Sequence, residues 1–291
     1  MTDPLLGRVL VPLDGSPQAE AILSHLRRII PPHESELTLI QSILFPPLEG
    51  EDEAERYLRK MSFQLTNDGY PSKYLLRIGP PAETILQAAT QVHASLIALS
   101  THGREGAERW VLGSVAEKVL EACSSPVLVA RSSSGSSSHG RRESPAIRNF
   151  LVPLDGSNLS LDSLGPVLAL ARPVDAHVTL LHVDEPSPYS GHWESPDKTL
   201  KEAEERLRSA CIPATVELRK GDAGQEILKV ADQKATDLIA MTTHGRSGPS
   251  RWVFGSVTAK VLRSASVPLI VVRHPASPSP TRFQALNRSA E

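Results

Sequence analysis

"RVLVPLDGS" (residues 8–16) returns almost unchanged as "RNFLVPLDGS" (148–157), about 141 residues further along the chain. Each copy is a short apolar, β-branched run closed by Pro-Leu-Asp and then Gly-Ser. A run of that length ending in Asp-Gly-Ser reads as a strand entering a turn and a helix N-cap. A second stretch repeats with it. "LSTHGREGAERWVLGSV" (99–115) and "MTTHGRSGPSRWVFGSV" (241–257) agree without a gap at eleven of seventeen positions, at an offset of 142. Two such similar offsets across a domain's length mean tandem duplication, not a short solenoid repeat.

Around these anchors the pattern alternates. In the first copy a helical stretch (about 17–30) precedes the strand "LTLIQSIL", a charged amphipathic helix "EDEAERYLRKMSFQL" and the strand "KYLLRIG". A helix with Glu83 in its first turn follows, then "SLIALS", the Gly-rich loop, a helix carrying Val111, Val115 and Val119, and finally "PVLVAR". The second copy offers a helix at 158–171, then "HVTLLHV", "DKTLKEAEERLRSA", "TVELRKG", a helix with Glu226, "DLIAMT", the second loop and "PLIVVR". Five strands alternating with four helices predict an α/β fold in each copy: a five-stranded parallel sheet with helices on both faces and right-handed crossovers. The expected boundaries are 1–131 and 148–273 for the domains, 132–147 for a Ser/Gly-rich linker, and 274–291 for a Pro/Ser-rich tail.

The 291 residues suffice for two domains of ordinary size. Formal net charge is −2 with 22% charged residues, which argues against a nucleic-acid partner. Cys123 and Cys211 stand in no metal-binding spacing, so neither a metal site nor a disulfide framework is expected. The start lacks a secretion-signal pattern and no apolar run is long enough to span a membrane, so a soluble cytoplasmic protein is expected.

In an open parallel sheet, ligands bind beyond the carboxyl ends of the strands, where the strand order reverses. Pro12-Leu13-Asp14 and Pro153-Leu154-Asp155 fall at such ends, and so do the two Gly-rich loops. A carboxylate there accepts hydrogen bonds from a ribose or base. Glycines let backbone N–H groups approach a phosphate, and the helix that follows adds its positive end. The first loop offers Gly103, Arg104, Gly106, Gly113, Ser114 and Val115; the second offers Thr242, Gly245, Arg246, Gly248, Gly255, Ser256 and Val257. Each feature also has a plain structural reading, as a turn or a helix cap. It is their meeting twice at one sheet edge that points to a nucleotide. His102 and His244 have no nucleophile paired with them by any motif and read as structural. Trp110 and Trp252 read as packing anchors, and His177 and His182, five apart on one strand, point to opposite faces and form no metal pair.

With "VLVPLDGS", "STHGREGAERWVLGSVAEKVL" and "PVLVAR" in view, the chain resembles the universal stress protein family in its tandem two-domain form. The resemblance covers both copies and implies two Rossmann-like domains of the adenine nucleotide α hydrolase-like type. The family's nucleotide-binding pattern is G-x2-G-x9-G-(S/T). Gly103 with Gly113-Ser114, and Gly245 with Gly255-Ser256, match its later part, while Ser100 and Thr242 replace its first glycine. The resemblance implies ATP or AMP as ligand, with or without Mg2+, and a role in stress response. It also implies that Ser42 and Val183 face the adenine. It further implies pairing of the two domains through their fifth strands and a possible homodimer.

The copies differ at the site. Glu105 and Glu108 in the first loop are Ser247 and Ser250 in the second, and polar Ser42 stands against apolar Val183. Carboxylates repel a polyphosphate, so the second loop is expected to be the better nucleotide site. No P-loop motif is present, so a sensor or regulator with little or slow hydrolysis is expected. A nucleotide-free interaction module and a slow ATPase remain as alternatives.

Overall fold

The strand over Arg8–Pro12 (β1) ends at proline, and Ser16 caps the helix Pro17–Ile29 (α1) by accepting the Ala19 N–H at 3.1 Å. Pro17 sits in the first turn, where a missing N–H costs nothing. Ala19, Ile22, Leu23, Leu26 and Ile29 recur at helical spacing and are buried, so one stripe of α1 faces the sheet. The computed structural model describes residues 7–45, 53–101, 112–131, 147–185, 196–243 and 254–273. The first repeat continues through Glu36–Ile43 (β2), Glu53–Asn67 (α2), Ser72–Ile78 (β3), Pro81–Gln91 (α3), Leu96–Thr101 (β4), Ser114–Ala122 (α4) and Val127–Arg131 (β5). The second runs through Asn149–Pro153 (β6), Leu164–Ala171 (α5), His177–Asp184 (β7), Pro196–Ser209 (α6), Ala214–Lys220 (β8), Ala223–Gln233 (α7), Leu238–Thr242 (β9), Ser256–Ser264 (α8) and Leu269–Val272 (β10).

The helix expected over 158–171 is split. Residues Asn158–Ser163 form a 3-10 turn, and α-helix begins only at Leu164. Pro166 explains the difference: it has no N–H to return to the carbonyl of Asp162, so the tighter turn replaces the missing α-helical bond.

The strands form one sheet in the order β3-β2-β1-β4-β5-β10-β9-β6-β7-β8. Within each repeat every pairing is parallel. β1 lies between β2 and β4, and β6 between β7 and β9, so each half has its reversal of strand order beside the Asp-Gly-Ser turn. β10 and β5 pair antiparallel, Leu269 with Val129, Ile270 with Leu128 and Val271 with Val127. All six side chains are buried. One hydrophobic cluster joins α1, α2, α5 and α6 to one face of the sheet, and a second joins α3, α4, α7 and α8 to the other. Both clusters draw residues from both repeats. Ile147, placed with the linker by sequence, is fully buried in the first of them.

The repeats also meet through polar groups. Asp237 accepts the N–H groups of Arg148 and Asn149, each at 3.0 Å, and its other oxygen lies 3.4 Å from the guanidinium of Arg28 on α1. At the matching position of the first repeat, Ser95 accepts the Arg8 N–H at 3.1 Å and donates to the Arg8 carbonyl. Serine and aspartate thus hold the same strand start within their own repeats, and the aspartate alone also reaches the other repeat, through Arg28. Asp237→Ala orphans two backbone donors and is expected to cost about 2 kcal/mol in urea denaturation. Asp237→Ser should recover part of that loss by restoring an acceptor.

His25, on α1 beside Arg28, is half-buried, and its Nδ1 has no hydrogen-bond partner. Burial lowers its pKa, the charge of Arg28 adds to the effect, and a bond to the Arg131 backbone opposes it. Below its ordinary value of 6.5, the unfolded chain takes up a proton that the folded chain resists. Stability is therefore full above pH 6.5 and falls as the pH drops toward the folded value. His25→Gln should flatten this dependence below pH 6.5, read from urea midpoints; an unchanged slope would assign the proton elsewhere.

Candidate functional site

At the end of β1 the backbone must turn sharply to start α1, and Gly15 takes φ +82° to do so; Gly156 takes φ +88° in the second repeat. A side chain is strained there, which explains the glycine in both copies. Asp14 Oδ1 accepts the Ser16 N–H at 2.9 Å and the Ser16 hydroxyl at 2.5 Å. Asp155 does the same with Ser157, at 2.9 and 2.6 Å, and Ser157 receives the Ser160 N–H at 3.3 Å. Carboxylate, hydroxyl and helix N–H thus form a relay that fixes each Asp at the sheet edge. Leu13 and Leu154 anchor the turns inward, their N–H groups donating to Ile40 and Leu181 at 2.8 Å.

The partners of these two turns differ. In the second repeat His182 Nδ1 lies 2.8 Å from the Leu154 carbonyl, so that nitrogen carries the proton. Thr199, on α6, donates to the Gly156 carbonyl at 3.0 Å. In the first repeat these positions hold Gln41 and Tyr57. The Tyr57 hydroxyl donates to Glu20 at 2.9 Å. Its pKa is pushed up by burial first, then by the Glu20 carboxylate and the charge of Asp14, so the phenol remains a donor. The Gln41 Oε1 is buried without a partner.

Ser42 donates to the Gly79 carbonyl, so its hydroxyl is engaged with the start of the β3–α3 turn. Val183, its counterpart, is buried in the cluster under α7.

On the neighbouring strand, Ser100 is the last residue but one of β4, and its hydroxyl is buried and unpartnered. Gly113 and Gly255 are the N-cap residues of α4 and α8, and neither supplies a side-chain cap. Ser114 and Ser256 open the helices on the exposed side, while Val115 and Val257 pack against the core. In the second repeat the helix start is tied down. Gly255 N–H donates to the Thr243 carbonyl at 2.8 Å, and Thr258 Oγ1 donates to the Thr242 carbonyl at 2.8 Å. A Cβ on Gly255 would meet that Thr243 carbonyl at 3.3 Å, so close backbone packing, and not φ, calls for glycine there. The side chain of Thr242 itself is buried.

The Asp turns and the Gly–Ser helix starts therefore come from adjacent strands, β1 with β4 and β6 with β9. The loop residues Gly103, Arg104, Gly106, Gly245, Arg246 and Gly248, with His102, His244, Trp110, Trp252, Glu105, Glu108, Ser247 and Ser250, lie outside the described residues. A cleft of about 640 Å3 between α6 and β8, lined by Lys201, Arg208 and Cys211, opens at the amino ends of the strands, away from both sites. His182, Thr199, Tyr57 and Gln41 were not singled out by motif. Aligning the two repeats places them in matched pairs, which is the signal that finds them.

The family model of the universal stress proteins matches residues 6–131 and again 146–273. The chain belongs to the universal stress protein family. A universal stress protein of Methanocaldococcus jannaschii is 31% identical over 141 residues, covering 44% of this chain and 83% of that protein. One from Mycolicibacterium smegmatis is 23% identical over 292 residues, covering 91% and 96%, which matches the tandem arrangement. Among solved structures, a universal stress protein from Archaeoglobus fulgidus superposes with a TM-score of 0.67 at 20% identity, over 91% of this chain and 98% of its own. A putative universal stress protein from Pseudomonas aeruginosa gives 0.69 at 17%, over 92% and 93%. These likenesses agree with the universal stress protein fold described above. No helix among the described residues is long and apolar enough to cross a membrane.

In this universal stress protein, the tie between α8 and β9 sets where the helix start lies. Thr258→Val keeps the shape but removes the bond to Thr242, and is expected to lower stability by about 1 kcal/mol in chemical denaturation.

Proposed function

We propose that this universal stress protein binds an adenine nucleotide, ATP or AMP, at the carboxyl edge of the sheet, and acts in stress response as a sensor or regulator with little or slow hydrolysis. The observation that carries the reading is the pairing, in each repeat, of an anchored carboxylate with a glycine-capped helix start on the adjacent strand. An Asp oriented by its own serine suits a ribose hydroxyl or a base amino group. A helix that begins at glycine offers its first N–H groups and its positive end to phosphate. In this reading Asp14 and Asp155 meet the nucleoside, with Pro12, Leu13, Pro153 and Leu154 holding them and Ser42 and Val183 beside the base. Gly113, Ser114 and Val115, and Gly255, Ser256 and Val257, meet the phosphates, with Gly103, Arg104, Gly106, Gly245, Arg246 and Gly248 of the loops and any Mg2+ that accompanies ATP.

The buried Ser100 hydroxyl, at the position of the pattern's first glycine, lacks a partner that a ligand would supply. The same replacement favours the second reading, an interaction module of this fold without nucleotide, because a side chain now narrows the phosphate approach. We further propose that the repeats work as an intramolecular pair, supported by the β5–β10 register, and that two chains associate beyond it. Two cysteines without a disulfide, one of them exposed, support a cytoplasmic location.

Denaturing the purified full chain should release ATP or AMP detectable by mass spectrometry, and ATP added to stripped protein should raise its melting temperature. Absence of both effects would favour the interaction module. Phosphate release at a rate well above background would instead make the chain an ATPase.

A further inference from the structure

We infer that the two repeats have divided their roles: the first takes the nucleotide, and the second is closed into a structural half. This rests on the nucleotide reading above. The comparison of loop charges favours the second repeat; the geometry beneath the loops points to the first.

The turn of the second repeat is clamped from both sides. His182, itself 5% exposed, holds the Leu154 carbonyl from β7, and Thr199, 2% exposed, holds the Gly156 carbonyl from α6. Gly156 is buried and Asp155 half-buried as a result. In the first repeat Asp14 and Gly15 are exposed. Gln41 and Tyr57, which occupy the clamp positions, make neither bond: Tyr57 turns to Glu20, and the Oε1 of Gln41 faces no partner.

The polar balance separates the repeats in the same sense. Among the described residues, the buried side-chain polar atoms without a hydrogen-bond partner all lie in the first repeat. Two of them flank β1 at the sheet edge: Gln41 Oε1 on β2, next to Ile40, which pairs with Pro12, and Ser100 Oγ near the end of β4. Folded proteins rarely leave such groups unsatisfied unless water, an ion or a ligand completes them. An amide oxygen can only accept, so its partner must bring a donor, and a ribose hydroxyl or an adenine amino group does so. Among the described residues, the second repeat has no such unsatisfied buried side-chain atom.

The test uses the full chain and ATP. Asp14→Asn and Asp155→Asn each keep an oxygen for the serine N–H, so the turn survives while the charge is lost. Calorimetry should find one ATP per chain, with Asp14→Asn weakening binding at least about tenfold more than Asp155→Asn. Equal losses, a larger loss in Asp155→Asn, or two equivalent sites would overturn the division of roles and leave the nucleotide reading intact. No binding by the unaltered chain would remove both. Ser100→Ala gives a second readout. Deleting an unsatisfied buried hydroxyl should leave the ligand-free melting temperature unchanged or raised, while shrinking the rise that ATP produces. An undiminished rise would mean that Ser100 faces no ligand and would count against the first repeat.

Discussion

Each half of the molecule turns on one glycine held at positive φ between a strand and a helix. Gly15 and Gly156 allow the chain to leave the central strand and enter the first helical element across four residues, 13–16 and 154–157. The aspartate before each glycine and the serine after it are thereby brought close enough to bond to one another and to the helix. Because the strand involved lies between its parallel neighbours, the carboxylate is fixed where the order of strands reverses. The crevice in which a ligand would sit is a consequence of that turn, and so is the direction in which α1 crosses the sheet.

Duplication let the same frame be finished in two ways. Ser95 and Asp237 hold the same backbone edge, but the longer carboxylate also reaches Arg28 of the other repeat. Gln41 and His182, and likewise Tyr57 and Thr199, occupy matched places, yet His182 and Thr199 hold the turn, Tyr57 bonds to Glu20, and the Oε1 of Gln41 has no partner. These changes lie around the turns and the contact between repeats. That pattern suits a protein in which the sheet is a shared support and the edge positions are free to specialise.

Much of the fold was legible from local pattern. β-branched runs bounded by turn residues marked the strands, apolar residues at helical spacing marked α4, and Glu83 in its first turn marked α3, because burial against a sheet and the charge of a helix end act locally. The split before α5 was less visible: the apolar spacing over 158–171 suits a continuous helix, and only the missing N–H of Pro166 decides otherwise. The site was legible at its glycines and aspartates, whose demands are local. Gly255 was read as room for phosphate, yet in the structure it also makes room for the Thr243 carbonyl.

The sequence by itself determined that one α/β unit occurs twice, which residues end its strands, and the family to which it belongs. All of these follow from short-range constraints: φ at a glycine, a cap at a helix start, the alternation of a buried strand. Only the tertiary structure decided that β5 and β10 run antiparallel in one ten-stranded sheet, and that His182 and Thr199 clamp one turn while Gln41 and Tyr57 leave the other open. Those facts depend on groups 28 to 43 residues apart in the chain, or more than a hundred, meeting in space. No local propensity encodes such meetings; the packing of the whole sheet does.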